Sequence, residues 1–255
     1  MLELHHWEPN GASARVMISL EEKELDYTSH YVDVLAFAQH RPEFLELNET
    51  GQVPVLMHDG APYTEASYIC ELLEEAFPER PLMPRQPRGR WEVRVWQKYV
   101  DDGFAASVSE LAWSAYGAGG LSALSPAELS AALERIPTRE RRELWTTSVA
   151  GLREEQLALA RGRIKAAVEK IESRLEGAPW LAGSEYSLAD IAVFSYFKYL
   201  PALFSGGVSD AAAPRAMSWM RAVAARPAVR AALARGRASD PFAIAAPGPE
   251  QIRWG

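Results

Sequence analysis

The stretch Gly51-Gln52-Val53-Pro54-Val55-Leu56-Met57-His58-Asp59-Gly60-Ala61-Pro62-Tyr63-Thr64-Glu65-Ala66 organises the whole reading. Asp59-Gly60 lies between two short runs, and Asp-Gly in that setting is a hairpin signal. Residues 53–57 and 61–64 are therefore expected to pair as antiparallel strands. Beyond them Ala66, Ile69, Cys70, Leu73, Ala76 and Phe77 recur at spacings of three and four, which predicts a helix with one buried stripe. Pro54 stands just ahead of the first strand, a place where a cis peptide and an ordinary turn proline are both compatible with the sequence.

Upstream, residues 2–7 are short and apolar-leaning, a strand. The turn Pro9-Asn10-Gly11 follows, and then a helix carrying Val16, Ile18 and Leu20. Residues 26–34 mix Tyr, Thr and Val with polar residues and predict a second strand. Pro42 opens a short helix that runs to Leu47. The order is βαβ, then α, then ββα: a parallel pair extended by a hairpin into one mixed sheet with helices, complete by about Phe77.

Downstream, Pro78, Pro81, Pro84 and Pro87 make a linker. Helical signals then dominate. They cover residues 88–116, a segment opened by Ser125-Pro126, residues 154–175, a helix capped by Ser187 with Asp190 three later, and residues 214–224 and 227–234. Three prolines in residues 240–255 predict an irregular tail. The expected fold class is α/β plus all-α: a mixed-sheet domain over 1–78, a linker over 79–87, a helical-bundle domain over 88–238 and a tail over 239–255.

Composition narrows the function classes. The 255 residues, 48% hydrophobic and 24% charged, are enough for two modest domains with a core. A net charge of −7 argues against nucleic acid as a partner, since a phosphate backbone selects a basic surface. No run approaches the roughly 20 apolar residues that span a bilayer, and residues 1–7 show no basic leader ahead of an apolar stretch. Cys70 is the single cysteine, so no internal disulfide is expected. A cytoplasmic protein is the expectation. Among His5, His6, His30, His40 and His58 no pair has helical ligand spacing, so no metal is expected. Neither a phosphate-binding glycine loop nor a serine elbow is present.

Three places can carry chemistry. The backbone of Val53, beside Pro54, can pair with an extended peptide as an added strand. Glu65 lies where a strand ends and a helix begins. It suits an ammonium group while the helix N–H groups suit a carboxylate, although capping by Thr64 or a dipole-favoured Glu gives the same sequence. Ser13, in the loop Pro9-Asn10-Gly11-Ala12-Ser13, is placed to donate to a thiolate or to cap the next helix. Cys70 lies on an apolar stripe and reads as inert.

Taken in this order, the elements resemble the cytosolic glutathione transferases: a thioredoxin-like βαβ-α-ββα unit, Gln52-Val53-Pro54, Glu65 at the start of the third helix, a proline-rich linker and an all-helical second domain. Tyr186-Ser187-Leu188-Ala189-Asp190-Ile191 resembles that family's capping motif, and Arg226-Pro227 its late Arg-Pro element. Gly51-Gln52-Val53-Pro54, His58-Asp59-Gly60, Thr64-Glu65, Ile69-Cys70-Glu71, Arg94-Val95-Trp96, Lys98 and Val100-Asp101, with the helical insertion over 125–153, are similar to the bacterial glutathione-dependent β-etherases.

The resemblance implies glutathione as co-substrate and no metal. Val53, before a cis-Pro54, would take the cysteinyl part. Glu65 and the Ala66 N–H would hold the γ-glutamyl end, with Ser67 beside them. Gln52 and His40 would lie near the tripeptide backbone or its glycine end. Ser13 or Asn10 would activate the sulfur. Ala66 and Ala12 depart from the family's more frequent Ser and Asn. The implied reaction is attack of the thiolate on an electrophilic aromatic small molecule, including β-aryl ethers. Tyr99, Phe104 and Trp113, from an aromatic set on the helix after the linker that also holds Trp96 and Tyr116, are the candidates to line its pocket, with inter-helix core as the alternative for each. A homodimer with a detoxifying role is implied as well. Glutathione-dependent disulfide or peroxide reduction, motivated by Pro9-Asn10-Gly11, and a non-catalytic binding role are the alternatives.

Overall fold

The computed structural model describes residues 1–117, 121 and 124–237; the expected tail at 239–255 and the Tyr116 side chain lie outside the described residues. Four strands form one sheet in the order β2-β1-β3-β4. They are β1 Leu2–His6, β2 Thr28–Tyr31, β3 Val55–His58 and β4 Ala61–Tyr63. β1 runs parallel to β2, with Leu4 opposite Ser29, and antiparallel to β3, with Leu4 opposite Leu56. β3 and β4 close the hairpin at Asp59-Gly60, where both residues have positive φ, +51° and +81°. Pro62 is tolerated because β4 is an edge strand, where a missing ladder N–H costs little. The second strand is shorter than residues 26–34, because only Thr28–Tyr31 finds a partner along β1.

Three helices belong to this sheet: α1 Gly11–Glu22, α2 Pro42–Leu45 and α3 Ala66–Ala76. α1 starts earlier than a cap at Ser13 would place it. Asn10 is the N-cap residue, in extended conformation, and Ser13 lies inside the first turn. The linker is tied down. The Lys23 ammonium, almost fully buried, pairs with Glu74 at 2.6 Å and donates to the Phe77 and Arg80 carbonyls at 2.9 Å. Glu74 in turn accepts from the N–H groups of Leu82 and Met83.

Pro87 opens α4 Pro87–Tyr99. The expected single helix over 88–116 is interrupted. A π-turn at Val100–Phe104 leads to α5 Ala105–Ala112, and a second π-turn at Trp113–Gly117 follows. An insertion supplies α6 Pro126–Glu134 and α7 Arg139–Ala150. Ser125 and Glu128 form a complete capping box on α6. α8 Glu154–Glu176 buries Leu157, Ala160, Ile164, Ala167, Val168 and Ile171, one stripe at helical spacing. α9 Leu188–Phe197 is buried on every side, and Ser187 and Asp190 satisfy its N-terminus reciprocally. α10 Leu200–Leu203, α11 Pro214–Ala224 and α12 Pro227–Ala234 complete the described helices.

Two apolar clusters result. The larger joins the sheet domain to the bundle, from Leu4, Ile18 and Leu56 through Val93 and Phe104 to Ile164 and Phe194. The second joins Trp7, Val34, Phe37 and Phe44 to Trp113, Ile136 and Trp145, so the insertion packs against the loop that follows β2. No helix among the described residues is long and apolar enough to cross a membrane.

Candidate active site

A cleft of about 580 Å³, including space open to solvent, lies where the two domains meet. Its walls come from Ala12 and Arg15 of α1, Asn48, Gln52, Val53 and Pro54 of the loop before β3, and Glu65, Ala66 and Ser67 at the start of α3. Asp101, Ala105 and Tyr196 close it from the helical domain.

The Val53-Pro54 bond is cis. The loop leading to it turns at Gly51, whose φ is +64°. A Cβ there would sit 2.6 Å from His40, so glycine is required for the close approach. Asn48 bridges this loop by donating to the Gln52 carbonyl at 2.8 Å while its own oxygen accepts from Thr50.

Glu65 is the N-cap residue of α3, with φ +69° and ψ +99°, and its side chain does not cap the helix. A non-glycine residue held at positive φ costs of order 1–3 kcal/mol, and such strain concentrates at functional sites. Glu65 lines the cleft at the positive end of a helix, next to Ala66.

A charged cluster borders Glu65. The Arg15 guanidinium, buried on α1, pairs with Asp101 at 2.5 Å and donates to Ser67 Oγ, which itself donates to Asp101. Burial opposes the charge on Arg15, but Asp101 and neighbouring polar groups more than restore it, so its pKa is raised. Burial pushes the Tyr196 phenol up, with Arg15 pulling the other way. Cys70 is buried behind this cluster, near Ser19 Oγ at 3.3 Å, and burial pushes its thiol up, away from the thiolate form.

Gln52, Val53, Pro54, Glu65, Ala66 and Ser67 thus share one cleft. His40 does not line it: the ring is buried behind Gly51 and packs on Phe37. Asn10 and Ser13 are also buried, in the loop after β1, next to Ala12 on the cleft wall. Ser13 Oγ accepts from the Trp7 N–H at 3.3 Å, which leaves its hydroxyl hydrogen to donate. None of Tyr99, Phe104 and Trp113 lines the cleft. Tyr99 takes the Lys170 ammonium over its ring at 5.3 Å, Phe104 is buried in the larger core, and Trp113 packs edge-on against Trp145 and donates to the Ser148 carbonyl at 2.8 Å. Trp96 is core too, its indole donating to Leu181.

The reading from sequence did not single out Arg15, Asn48, Asp101 or Tyr196 as site residues. The one signal was an arginine placed between Ala14 and Val16 in an apolar helix. Among the described residues no group of three or more His, Cys, Asp or Glu side chains is arranged to hold a metal ion.

A thioredoxin-like sheet domain that presents a cis-proline and a glutamate at a helix N-terminus to a cleft walled by a helical bundle defines a two-domain, glutathione-transferase type of protein. Family comparison agrees: residues 4–81 match the glutathione S-transferase N-terminal domain and residues 150–222 the C-terminal domain. The chain belongs to the glutathione S-transferase family. It is 33% identical to protein LigF of Sphingobium sp. (strain NBRC 103272 / SYK-6) over 246 residues, 94% of this chain and 95% of that one. The crystal structure of beta-etherase LigF from the same strain superposes with a TM-score of 0.88 at 32% identity, covering 92% of this chain and 99% of that one. FtsZ-localized protein A of Caulobacter vibrioides is 28% identical over 91% of this chain and 90% of its own. A glutathione transferase homologue from Sulfitobacter with bound glutathione shares the fold, with a TM-score of 0.67 at 24% identity over 91% of this chain and 96% of that one.

Proposed function

We propose that the cleft binds glutathione and that its thiolate cleaves an aromatic ether. The γ-glutamyl end is held by Glu65, which accepts from the ammonium, and by the Ala66 N–H, which meets the carboxylate, with Ser67, Arg15 and Asp101 behind them. The cysteinyl part pairs with the Val53 backbone beside Pro54, and Gln52 takes the glycine end. His40 supports that end from beneath Gly51. Ser13, the donor in the first turn of α1, stabilises the thiolate, with Asn10 as the competing donor. The sulfur attacks the carbon that bears an aryloxy group; the C–S bond forms as the C–O bond breaks. The electron pair leaves on the phenolate, which then takes a proton from solvent.

The observation that carries this reading is Glu65, held at positive φ in the same cleft as Val53 and Pro54; the likeness to a beta-etherase supports the choice of substrate. Ala105 and Tyr196 are the helical-domain residues that line the cleft together with Asp101; Phe104 packs edge-on against Tyr196, Tyr99 stacks on Phe104, and Trp113 lies apart against Trp145. We further propose a cytoplasmic homodimer with a detoxifying or catabolic role. Exposed Tyr68, Trp91 and Val95 on α3 and α4 support the pairing surface.

Steady-state assays with glutathione and a β-aryl ether, an aryl halide and a glutathionylated disulfide test the reaction. Ether cleavage at the highest kcat/KM is expected. Faster reduction of the disulfide reverses the assignment, and absence of calorimetric heat with glutathione removes it.

A further inference from the structure

The loop that presents Asn10 and leads to Ser13 is closed from within by the Trp7 N–H, which donates to Ser13 Oγ at 3.3 Å. Asn10 makes no side-chain capping bond to α1, Pro9 has no N–H to give, and Gly11 sits at φ +47°. A second hold falls on one peptide plane, the one joining Pro9 to Asn10. The N–H end of that plane is bonded to the Glu8 carbonyl at 2.6 Å. The carbonyl end accepts from Lys198 Nζ at 2.7 Å, across 189 positions of sequence.

Lys198 is an unusual residue for this place. Its side chain is almost fully buried, at the C-cap of α9, where the helix dipole favours a cation. Its ammonium lies 4.6 Å from the centre of the Tyr199 ring. α9 itself cannot easily shift: it is buried along its length and its N-terminus is locked by Ser187 and Asp190. The other charged side chain of the loop, Glu8, is engaged by the Tyr31 hydroxyl at 2.7 Å and the Arg237 N–H at 2.9 Å. The loop is thus clamped from two sides, and the clamp on Pro9 comes from the domain that does not carry the glutathione-binding strands.

We propose that Lys198 is a positioning residue for thiol activation. By fixing the Pro9 carbonyl it sets the orientation from which Asn10 extends and α1 begins, and so the direction of the Ser13 hydroxyl. This rests on the reading of residues 9–13 as the thiol-activating loop. Lys198 is not among the residues that line the cleft with Glu65, Val53 and Pro54, so its loss is expected to separate glutathione affinity from reactivity.

Three measurements on Lys198→Met, Lys198→Gln and Lys198→Arg test the role: calorimetric Kd for glutathione, ultraviolet absorbance of the bound thiolate at neutral pH, and the split between KM and kcat. In Lys198→Met, Kd is expected to stay within about threefold while the thiolate fraction falls and kcat drops about tenfold to a hundredfold, the size of effect a misplacement near 1 Å produces. Lys198→Gln, which keeps a donor, and Lys198→Arg, which keeps the charge as well, are expected to recover part of that loss. Unchanged thiolate fraction and kcat in folded Lys198→Met overturn the proposal. So does a parallel loss of affinity, activity and Tm in all three variants, which marks a purely structural lysine. A wild type that binds glutathione without any thiolate absorbance overturns the reading of the loop itself, a result distinct from both.

Discussion

Glu65 combines two properties that are separable by mutation. Its backbone is held at positive φ, and the residue carries a carboxylate and lines the cleft. Glu65→Gln keeps the backbone conformation and removes the charge; glutathione Kd is expected to rise at least about tenfold, roughly 1.4 kcal/mol, with Tm almost unchanged. Glu65→Gly removes the strain and is expected to stabilise the fold by about 1 kcal/mol while abolishing detectable binding. Calorimetry and thermal melts of the two variants decide the matter, and a Gly variant less stable than wild type would sink the strain argument. The positions of Val53 and Glu65 around the hairpin were legible beforehand, but their residues alone left an ordinary turn proline and a capping glutamate open, and only the order of elements that resembles a family joined them into one site. The charged neighbours were not legible. Arg15 finds Asp101 across 86 positions, and a single arginine in a helix looks the same in sequence whether it faces solvent or a buried carboxylate.

Elements show where periodicity reads well and where it fails. α8 keeps one stripe through 23 residues, so its buried face follows directly from spacing. The stretch from Pro87 to Gly117 does not, because each π-turn adds a residue to the helical repeat and rotates the stripe beyond it. Which of the aromatic residues along this stretch face a pocket therefore could not be read from spacing: Tyr99 and Phe104 stack on each other, while Trp113 packs on Trp145. The capping motif of α9, by contrast, is local and was readable. Asp190 accepts from the N–H groups of Leu181 and Ser187, the Ser187 hydroxyl and the Trp219 indole. Burial outweighs these donors and raises its carboxyl from 3.8 to about 6. Because the folded pKa exceeds the unfolded one, the folded state holds an extra proton between the two values. That contribution is fully present below about pH 4 and is lost as pH rises through about 6, up to about 3 kcal/mol in all. Urea unfolding across that window should show wild type gaining on Asp190→Asn as the pH falls; a pH-independent gap contradicts it. In the insertion, Trp145 is fully buried against Phe37 and Trp113, and Arg141 of the same helix donates to the Thr50 carbonyl. Trp145→Ala is expected to cost about 3–5 kcal/mol in chemical denaturation and to raise KM for glutathione, because the loop over 33–53 loses its backing. An unchanged KM in a folded variant would confine the insertion to stability.

Across the whole molecule the helical domain grips α1 at both ends and in the middle. Lys198 takes the loop before it, Asp101 takes Arg15, and Arg226 and Arg235 pair with Glu22 at 2.6 Å and Glu21 at 2.5 Å near its C-terminus. With the larger core continuous through both domains, thermal unfolding is expected as one transition, coincident by far-ultraviolet circular dichroism and tryptophan fluorescence. Two resolved steps would show that the domains melt independently.

The tied linker and the shared core bear on inheritance as much as on stability. The prolines between α3 and α4 look like a natural crossover point for recombining relatives, yet a chimera spliced there would bring α1 from one parent to a bed of helices from another. The compatible unit of exchange is a discontinuous set: α1, the π-turn at Val100–Phe104, α9 and α12 travel together or their pairings are lost. Viable natural shuffling in this lineage should therefore preserve those partners jointly, whatever happens to the sequence between them.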